Sequence, residues 1–289
     1  MKKAFVILLI IVVIFATLLG VVVNIASKFA LFDIFISMTP TTTFLSKTNV
    51  LVLGVDNAFG HRSDTIMLLH IDPDKKEASL ISIPRDSLAI LPGRGLDKIN
   101  HAFAYGGAEL SRKTVSNLLK IDIPYYITVN LSGIIDIIDS LGGITINVEK
   151  RMYYVDYAGG LYIDLKPGVQ KLSGKDAMGY LRFRHDGGDF KRIVRQQNFL
   201  TSLAQEMLKR DNLLRSPQLF LTLLSYLDTN LGSKEIFGLA LSLRGTFELG
   251  HIKMATLPGS DLMVDGIYYW KLDENRVHNI VQEYVHAKK

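Results

Sequence analysis

The chain has 289 residues, 48% of them hydrophobic and 21% charged, which is enough for one sizeable domain and far from a disordered composition. It contains no cysteine, so disulfides, thiolate metal sites and cysteine nucleophiles are excluded. A net charge of +5, from 33 Lys and Arg against 28 Asp and Glu, is too small for a nucleic-acid-binding surface, and no nucleic-acid partner is expected.

The first residues set the expected compartment. Lys2 and Lys3 form a short cytoplasmic tail, 1–3, and the span from Ala4 to Val23 carries no charge. At about 1.5 Å per residue it is long enough to cross a hydrocarbon core of roughly 30 Å. The two lysines favour a cytoplasmic N-terminus, and no good cleavage site follows, so 4–26 is read as a signal-anchor transmembrane helix rather than a cleaved signal. Residues 27–46 read as a juxtamembrane linker broken at Thr39-Pro40-Thr41-Thr42-Thr43. The body, 47–289, is then expected outside the cell, close to membrane lipid.

Within the body, Asn49 to Val55, Asp64 to Ile71 and Ala78 to Ile83 are apolar on both alternating faces, as in central strands covered by helices. A helix is expected from Gly106-Gly107 to Lys120, a strand over Pro124 to Asn130, a helix from Leu131 to Leu141 stopped by Gly142-Gly143, and a strand over Ile144 to Val148. Met152 to Leu165 reads as a hairpin turning at Gly159-Gly160, followed by a short helix near Ser173 to Tyr180. Phe190 to Lys209 is the clearest amphipathic helix, with an apolar stripe of Ile193, Val194, Leu200, Ala204, Met207 and Leu208. Further helices are expected at Pro217 to Leu227, Lys234 to Leu243 and Asp273 to His286, with a strand at Ile252 to Leu257. Strands alternating with helices give an α/β fold, a three-layer α/β/α sandwich with a mixed central sheet.

Arginine recurs where one apolar segment turns toward the next: Arg62, Arg85, Arg182, Arg184, Arg192 and Arg195. A guanidinium is a planar fork that grips phosphate bidentately, so repeated Arg near Asp points to a polyanionic phosphate ligand, and separate surface ion pairs are the alternative. Arg192 and Gln196 lie four apart on one helix face and can offer two donors to one ligand. Arg182 and Arg184, taken as extended backbone, would share a face opposite Phe183. Asp56 and Asp64 stand at the ends of two expected strands and suit a magnesium ion, or else cap a loop and pair with Arg62. His185-Asp186-Gly187-Gly188-Asp189 reads as a loop into a helix rather than a metal site, and His61, His70 and His101 read as loop or core residues.

Six segments in order carry a resemblance: Asn49-Val-Leu-Val-Leu-Gly-Val-Asp56, Arg62-Ser-Asp-Thr-Ile-Met-Leu68, Ser82-Ile-Pro-Arg-Asp86, Asp97-Lys-Ile-Asn-His-Ala-Phe-Ala-Tyr-Gly-Gly107, Leu141-Gly-Gly143, and Arg182-Phe-Arg184 with Arg192-Ile-Val-Arg-Gln-Gln197. Together they resemble the LytR-CpsA-Psr family of bacterial envelope proteins. The resemblance implies a phosphotransferase that moves a glycan phosphate from an undecaprenyl-pyrophosphate carrier onto peptidoglycan with the help of Mg²⁺. It maps pyrophosphate binding onto Arg62, Arg85, Arg182, Arg184, Arg192 and Gln196, and metal-proximal acids onto Asp56 and Asp64. Arg85 is expected to act in catalysis, and Asp64 is expected either to hold the metal or to take the acceptor hydroxyl proton. The resemblance also implies an apolar pocket for the polyprenyl tail beside Phe199, Leu200 and Leu203. A polyprenyl-pyrophosphate-binding regulatory protein and a lipid pyrophosphatase remain as other readings of the same residues.

Overall fold

A computed structural model describes residues 45–55, 62–157, 161–183, 189–208, 226–249 and 251–286. The membrane segment 4–26, nearly all of the linker, Asp56, the Gly159-Gly160 turn, Arg184, Asp186 and most of the helix expected at 217–227 lie outside them.

Six strands form the central sheet: β1 (Thr48–Val55), β2 (Ser63–Asp72), β3 (Glu77–Ser82), β6 (Tyr125–Asn130), β11 (Leu227–Thr229) and β12 (Ile252–Thr256). Their order is β11-β6-β1-β2-β3-β12, with β1 and β6 parallel, β3 and β12 parallel, and the other neighbours antiparallel, so the sheet is mixed as expected. Leu227, the last residue of the helix expected at 217–227, instead opens β11 at the sheet edge.

One sheet face is closed. Leu51 and Leu53 of β1, Ile66 and Leu68 of β2 and Ile81 of β3 pack there against α1 (His101–Leu119) and α6 (Glu274–Tyr284) through Val115, Leu119, Val277 and Val281. Each such buried aliphatic side chain contributes roughly 1.5–3 kcal/mol. α1 begins at His101, five residues before the glycine pair expected to precede it, and bends at that pair: Gly106 and Gly107 have non-helical backbone, and Gly107 (φ 62, ψ −156) occupies a region that glycine alone tolerates. Asp273 caps α6 by accepting from the Arg276 amide at 3.1 Å.

The other face is divided. At one end Val50, Ile71 and Ala78 pack with Leu231 and with Leu239 of α5 (Ser233–Leu249). Beyond it lies a separate apolar cluster built by α2 (Leu131–Ser140), β7 (Ile144–Val148), the hairpin β8 (Met152–Asp156) and β9 (Leu161–Leu165), β10 (Gly168–Leu172), α3 (Gly174–Arg182) and α4 (Asp189–Leu208). β10 pairs with β7 and was not legible as a strand. Helix α3 runs through Leu181 and Arg182, which corrects the extended reading of that stretch; Phe183 is its extended C-cap. Ser173 caps its start, accepting from the Asp176 amide at 3.2 Å while its hydroxyl bonds the Asp176 carboxylate at 2.8 Å. Val194, placed on the apolar stripe of α4 by its spacing, is 49% exposed.

Two further hairpins complete the wall of the site: β4 (Leu88–Leu91) with β5 (Gly95–Lys98), and β13 (Gly259–Val264) with β14 (Ile267–Leu272). They are joined by the Trp270 amide donating to the Asp86 carbonyl at 2.8 Å.

Candidate active site: an arginine-rimmed apolar cavity

Between the divided sheet face and the separate cluster lies a cavity of about 790 Å³. Its floor is the sheet, through Val52, Gly54, Thr65, Met67 and Val129, and its opposite wall comes from Phe199, Leu200 and Leu203 of α4 with Ile134 and Ile137 of α2. The hairpin β8–β9 adds Tyr154, Asp156 and Leu161. The helix that the sequence reading set beside a lipid pocket therefore does line an apolar space.

Charge gathers on the same lining. Arg62, Asp64, Arg85, Arg182, Arg192 and Gln196 all border the cavity, although they span 135 positions of sequence from the first to the last, with Asp86, Lys98, Asn100 and His101 beside them. Of the expected site residues, only Asp56 and Arg184 fall outside the described part of the chain.

Local structure explains the convergence. Pro84 ends the β3 segment and Arg85 sits in the turn that follows, closed by the Ser87 amide donating to the Pro84 carbonyl at 3.0 Å. Its Nη1 donates to Asp64 Oδ1 at 2.5 Å, and its Nε lies 3.4 Å from Asp86 Oδ2. Lys98 Nζ donates to Asp86 Oδ1 at 2.8 Å. Burial raises the Asp86 carboxyl, but the Lys98 bond and the Arg85 charge outweigh it and hold Asp86 below the usual carboxylate range. The result is a chain Asp64–Arg85–Asp86–Lys98 that fixes one guanidinium and one ammonium at the wall.

Helix α4 is pinned across the sheet by consecutive residues. Gln196 Nε2 donates to Thr65 Oγ1 at 2.8 Å, and Gln197 Nε2 donates to Ser82 Oγ at 2.9 Å and to the Ala255 carbonyl at 3.3 Å. Gly54 faces Thr65 across the strands, and a Cβ there would come within 2.9 Å of the Thr65 Cβ, so glycine keeps that threonine in place under Gln196. Arg192, one turn before Gln196, is 4% exposed and shares the cavity wall with it, as the four-residue spacing requires. Arg195 is rotated away: it is 1% exposed, donates to the Phe183 carbonyl and lies 5.8 Å from the Phe183 ring, so it ties α4 to the end of α3. Through that tie Arg182, at the last turn of α3, is brought to the cavity.

The carboxylates also fit a divalent cation. Asp64, Asp86 and Asp156 all line the cavity, and Asp64 Oδ2 makes no hydrogen bond among the described residues. A hard oxygen from one carboxylate, completed by water and substrate phosphate, is a donor set Mg²⁺ accepts. Among the described residues no group of three or more His, Asp or Glu forms a closed metal cage, which is a different kind of site.

His101 was read from sequence as a loop or core residue. It borders the cavity, and its Nδ1 lies 2.8 Å from Asp97 Oδ1. The signal was present as Asp97 and His101 at a spacing of four, where a strand end meets a helix start.

Comparison with known proteins agrees with this architecture. The LytR_cpsA_psr family model matches residues 36–285. The chain is 39% identical over 219 residues to the regulatory protein MsrR of Staphylococcus aureus (strain COL), covering 73% of this chain and 64% of MsrR, so the match spans a little under two thirds of that relative's length. It is 31% identical over 240 residues to the polyisoprenyl-teichoic acid–peptidoglycan teichoic acid transferase TagU of Bacillus subtilis (strain 168), covering 81% of this chain and 76% of TagU. The crystal structure of protein gbs0355 from Streptococcus agalactiae superimposes with a TM-score of 0.75 at 26% identity, covering 87% of this chain and 92% of that one. With the matched segment taking in nearly all of the described structure, the chain belongs to the LytR_cpsA_psr family.

Proposed function

We propose that this protein is a cell-wall glycopolymer transferase: it takes a glycan phosphate from a polyprenyl-pyrophosphate carrier and joins it to peptidoglycan. The observation that carries the reading is the coincidence of four arginines, Arg62, Arg85, Arg182 and Arg192, with the lining of one apolar cavity. A pyrophosphate needs cations and a polyprenyl chain needs an apolar slot; the two demands meet here on one ligand. Similarity to TagU, named a teichoic acid transferase, supports the same reaction class.

In this reading Arg85 is held against Asp64 so that its guanidinium meets the pyrophosphate already oriented, and Arg192 and Gln196 present donors from one helix face. Such preorganised cations stabilise charge that develops on the leaving lipid phosphate. Asp64, together with Asp56, would hold Mg²⁺. When bound, that ion would neutralise phosphate oxygens and polarise the phosphorus under attack. The apolar segment 4–26 would anchor the chain with its body outside the membrane, beside the lipid-borne donor.

The test uses the full chain in detergent with a polyprenyl-pyrophosphate-linked glycan, Mg²⁺ and peptidoglycan. Glycan attached covalently to peptidoglycan is the expected product. Donor binding without turnover would favour a regulatory lipid-binding protein, and release of lipid phosphate without an acceptor would make the protein a pyrophosphatase.

A further inference from the structure

We propose that His101, oriented by Asp97, is the general base that takes the proton from the acceptor hydroxyl; the proposal rests on the transferase reading above. Three observations carry it. First, the imidazole sits on the cavity lining shared with Arg85 and Asp64, and a backbone bond from the Asn100 amide to the Arg85 carbonyl, 3.2 Å, locks the start of α1 to the arginine turn. The side chain is 20% exposed, enough to meet a hydroxyl arriving from solvent.

Second, Asp97 is fully engaged in holding this ring. Its Oδ1 accepts from His101 Nδ1 at 2.8 Å and from the Lys98 amide at 2.7 Å, and its Oδ2 accepts from the Tyr105 hydroxyl at 3.2 Å. Burial raises the Asp97 carboxyl, but these three donors outweigh it and keep it ionised below the usual range. An ionised carboxylate only accepts, so Nδ1 must carry the hydrogen, and the neutral ring then has its lone pair on Nε2. This carboxylate–imidazole order is the one that makes a histidine a base toward a hydroxyl. Tyr105 is itself fixed, its ring 6.0 Å from His101 edge-on and covered by the Arg94 guanidinium at 4.7 Å.

Third, the competing carboxylate is engaged. Asp64 Oδ1 is bonded by Arg85 Nη1 at 2.5 Å, and a proton on either oxygen, the unbonded Oδ2 included, would neutralise the carboxylate that aims the guanidinium. A division of labour follows, with Asp64 for arginine and metal and His101 for the proton.

The step balances without a further reactant. The acceptor oxygen forms a bond to the glycan-side phosphorus, the P–O bond to the lipid phosphate breaks and leaves its electron pair there, and the hydroxyl proton passes to Nε2 and then to solvent. The charged and titratable groups around the imidazole are Asp97 and Lys98 on β5, Tyr105 on α1 with Arg94 against it, and Arg62, Asp64, Arg85, Asp86, Tyr154, Asp156, Arg182 and Arg192 on the cavity lining.

The experiment measures initial rates of the full chain against pH from 5 to 9, with the lipid-linked glycan as donor and a soluble peptidoglycan oligomer as acceptor. His101→Gln should lower kcat by roughly 10²–10⁴-fold, leave donor KM within a factor of about three, and abolish the acidic limb of the rate profile. Asp97→Asn should lose less rate and keep a displaced limb, and added imidazole should restore part of the activity of His101→Ala. Wild-type kcat with an unchanged pH profile in His101→Gln overturns the proposal, as does a lower kcat with the limb intact and no imidazole rescue. If His101→Gln fails to fold, Asp97→Asn decides by its limb. A wild-type chain that transfers nothing removes the transferase reading and this one with it, whereas a wild type that transfers beside an unaffected His101→Gln removes only the base.

Discussion

The two faces of the central sheet are made by the same strands and differ in one respect: what is allowed to fill them. On one face Leu51, Leu53, Ile66, Leu68 and Ile81 meet α1 and α6 side chain to side chain and are 0–2% exposed. On the other, Val52, Thr65 and Met67 look into about 790 Å³ before they meet α4. The difference teaches that binding space here is an interval between two apolar clusters, bridged at its rim by polar pins. Gln196 to Thr65 and Gln197 to Ser82 hold α4 at a distance that side-chain packing alone would collapse.

That contrast can be broken in graded steps. Arg85→Ala should lower transfer by about 10²–10³-fold, read in the transfer assay, while the melting temperature changes little, because the guanidinium acts at the open face. Full activity in that variant would remove Arg85 from catalysis. On the closed face Leu68→Ala should cost about 2–5 kcal/mol in a denaturant titration, since nothing is free to fill the void. A smaller effect is expected at the end of that face, where His70 on β2 donates from Nδ1 to Asn49 Oδ1 at 2.7 Å. Burial, with Lys47 nearby, lowers the His70 pKa from 6.5 to about 4. Between those values the unfolded chain binds a proton that the folded chain refuses, so stability is present in full above about pH 6.5 and falls as pH drops, by at most about 3 kcal/mol. His70→Asn should flatten that slope; an unchanged slope would assign it to other groups. Smallest of all, Leu200→Ala on the open face should cost under about 1 kcal/mol of stability, because Leu200 is only partly buried against its own cluster and otherwise borders the cavity, and should raise donor KM. A loss like that of Leu68→Ala would show that α4 is packed as tightly as the closed face.

The strands of the sheet were readable from their runs of apolar residues on both alternating faces, and α4 from its period, because burial writes those patterns directly. The Arg192 and Gln196 pair was readable for the same reason: a helix fixes which residues share a side. Arg182 was placed at the site by the motif resemblance and by reading it as half of an extended pair, and the second premise fails. The helix it ends, and the Arg195 bond to Phe183 that draws that helix end in, depend on contacts between segments that spacing cannot express. The hairpins β4–β5 and β13–β14 escaped notice because their strands are short and one side is wet, with Ile90 at 69% and Met263 at 61% exposure blurring the alternation. His101 was passed over although Asp97 stands four residues before it; that spacing gains meaning once the cavity wall is seen beside the pair.

The bend at Gly106 and Gly107 has a consequence for how this wall of the cavity can vary. A Cβ on Gly106 would approach the Leu110 Cβ to 2.7 Å, and Gly107 sits where other residues are strained, so the joint is held by sterics rather than by chance. Downstream of it Ala108, Val115 and Leu119 are rooted in the sheet's sealed side; upstream Ala102 and Phe103 pack into that same core, and His101 at the helix start borders the cavity. A joint of this kind lets the first turn of α1 keep its own angle toward the cavity while the longer segment below stays packed. Substitution around the joint would then change how His101 is presented to the cavity while the platform beneath keeps its register.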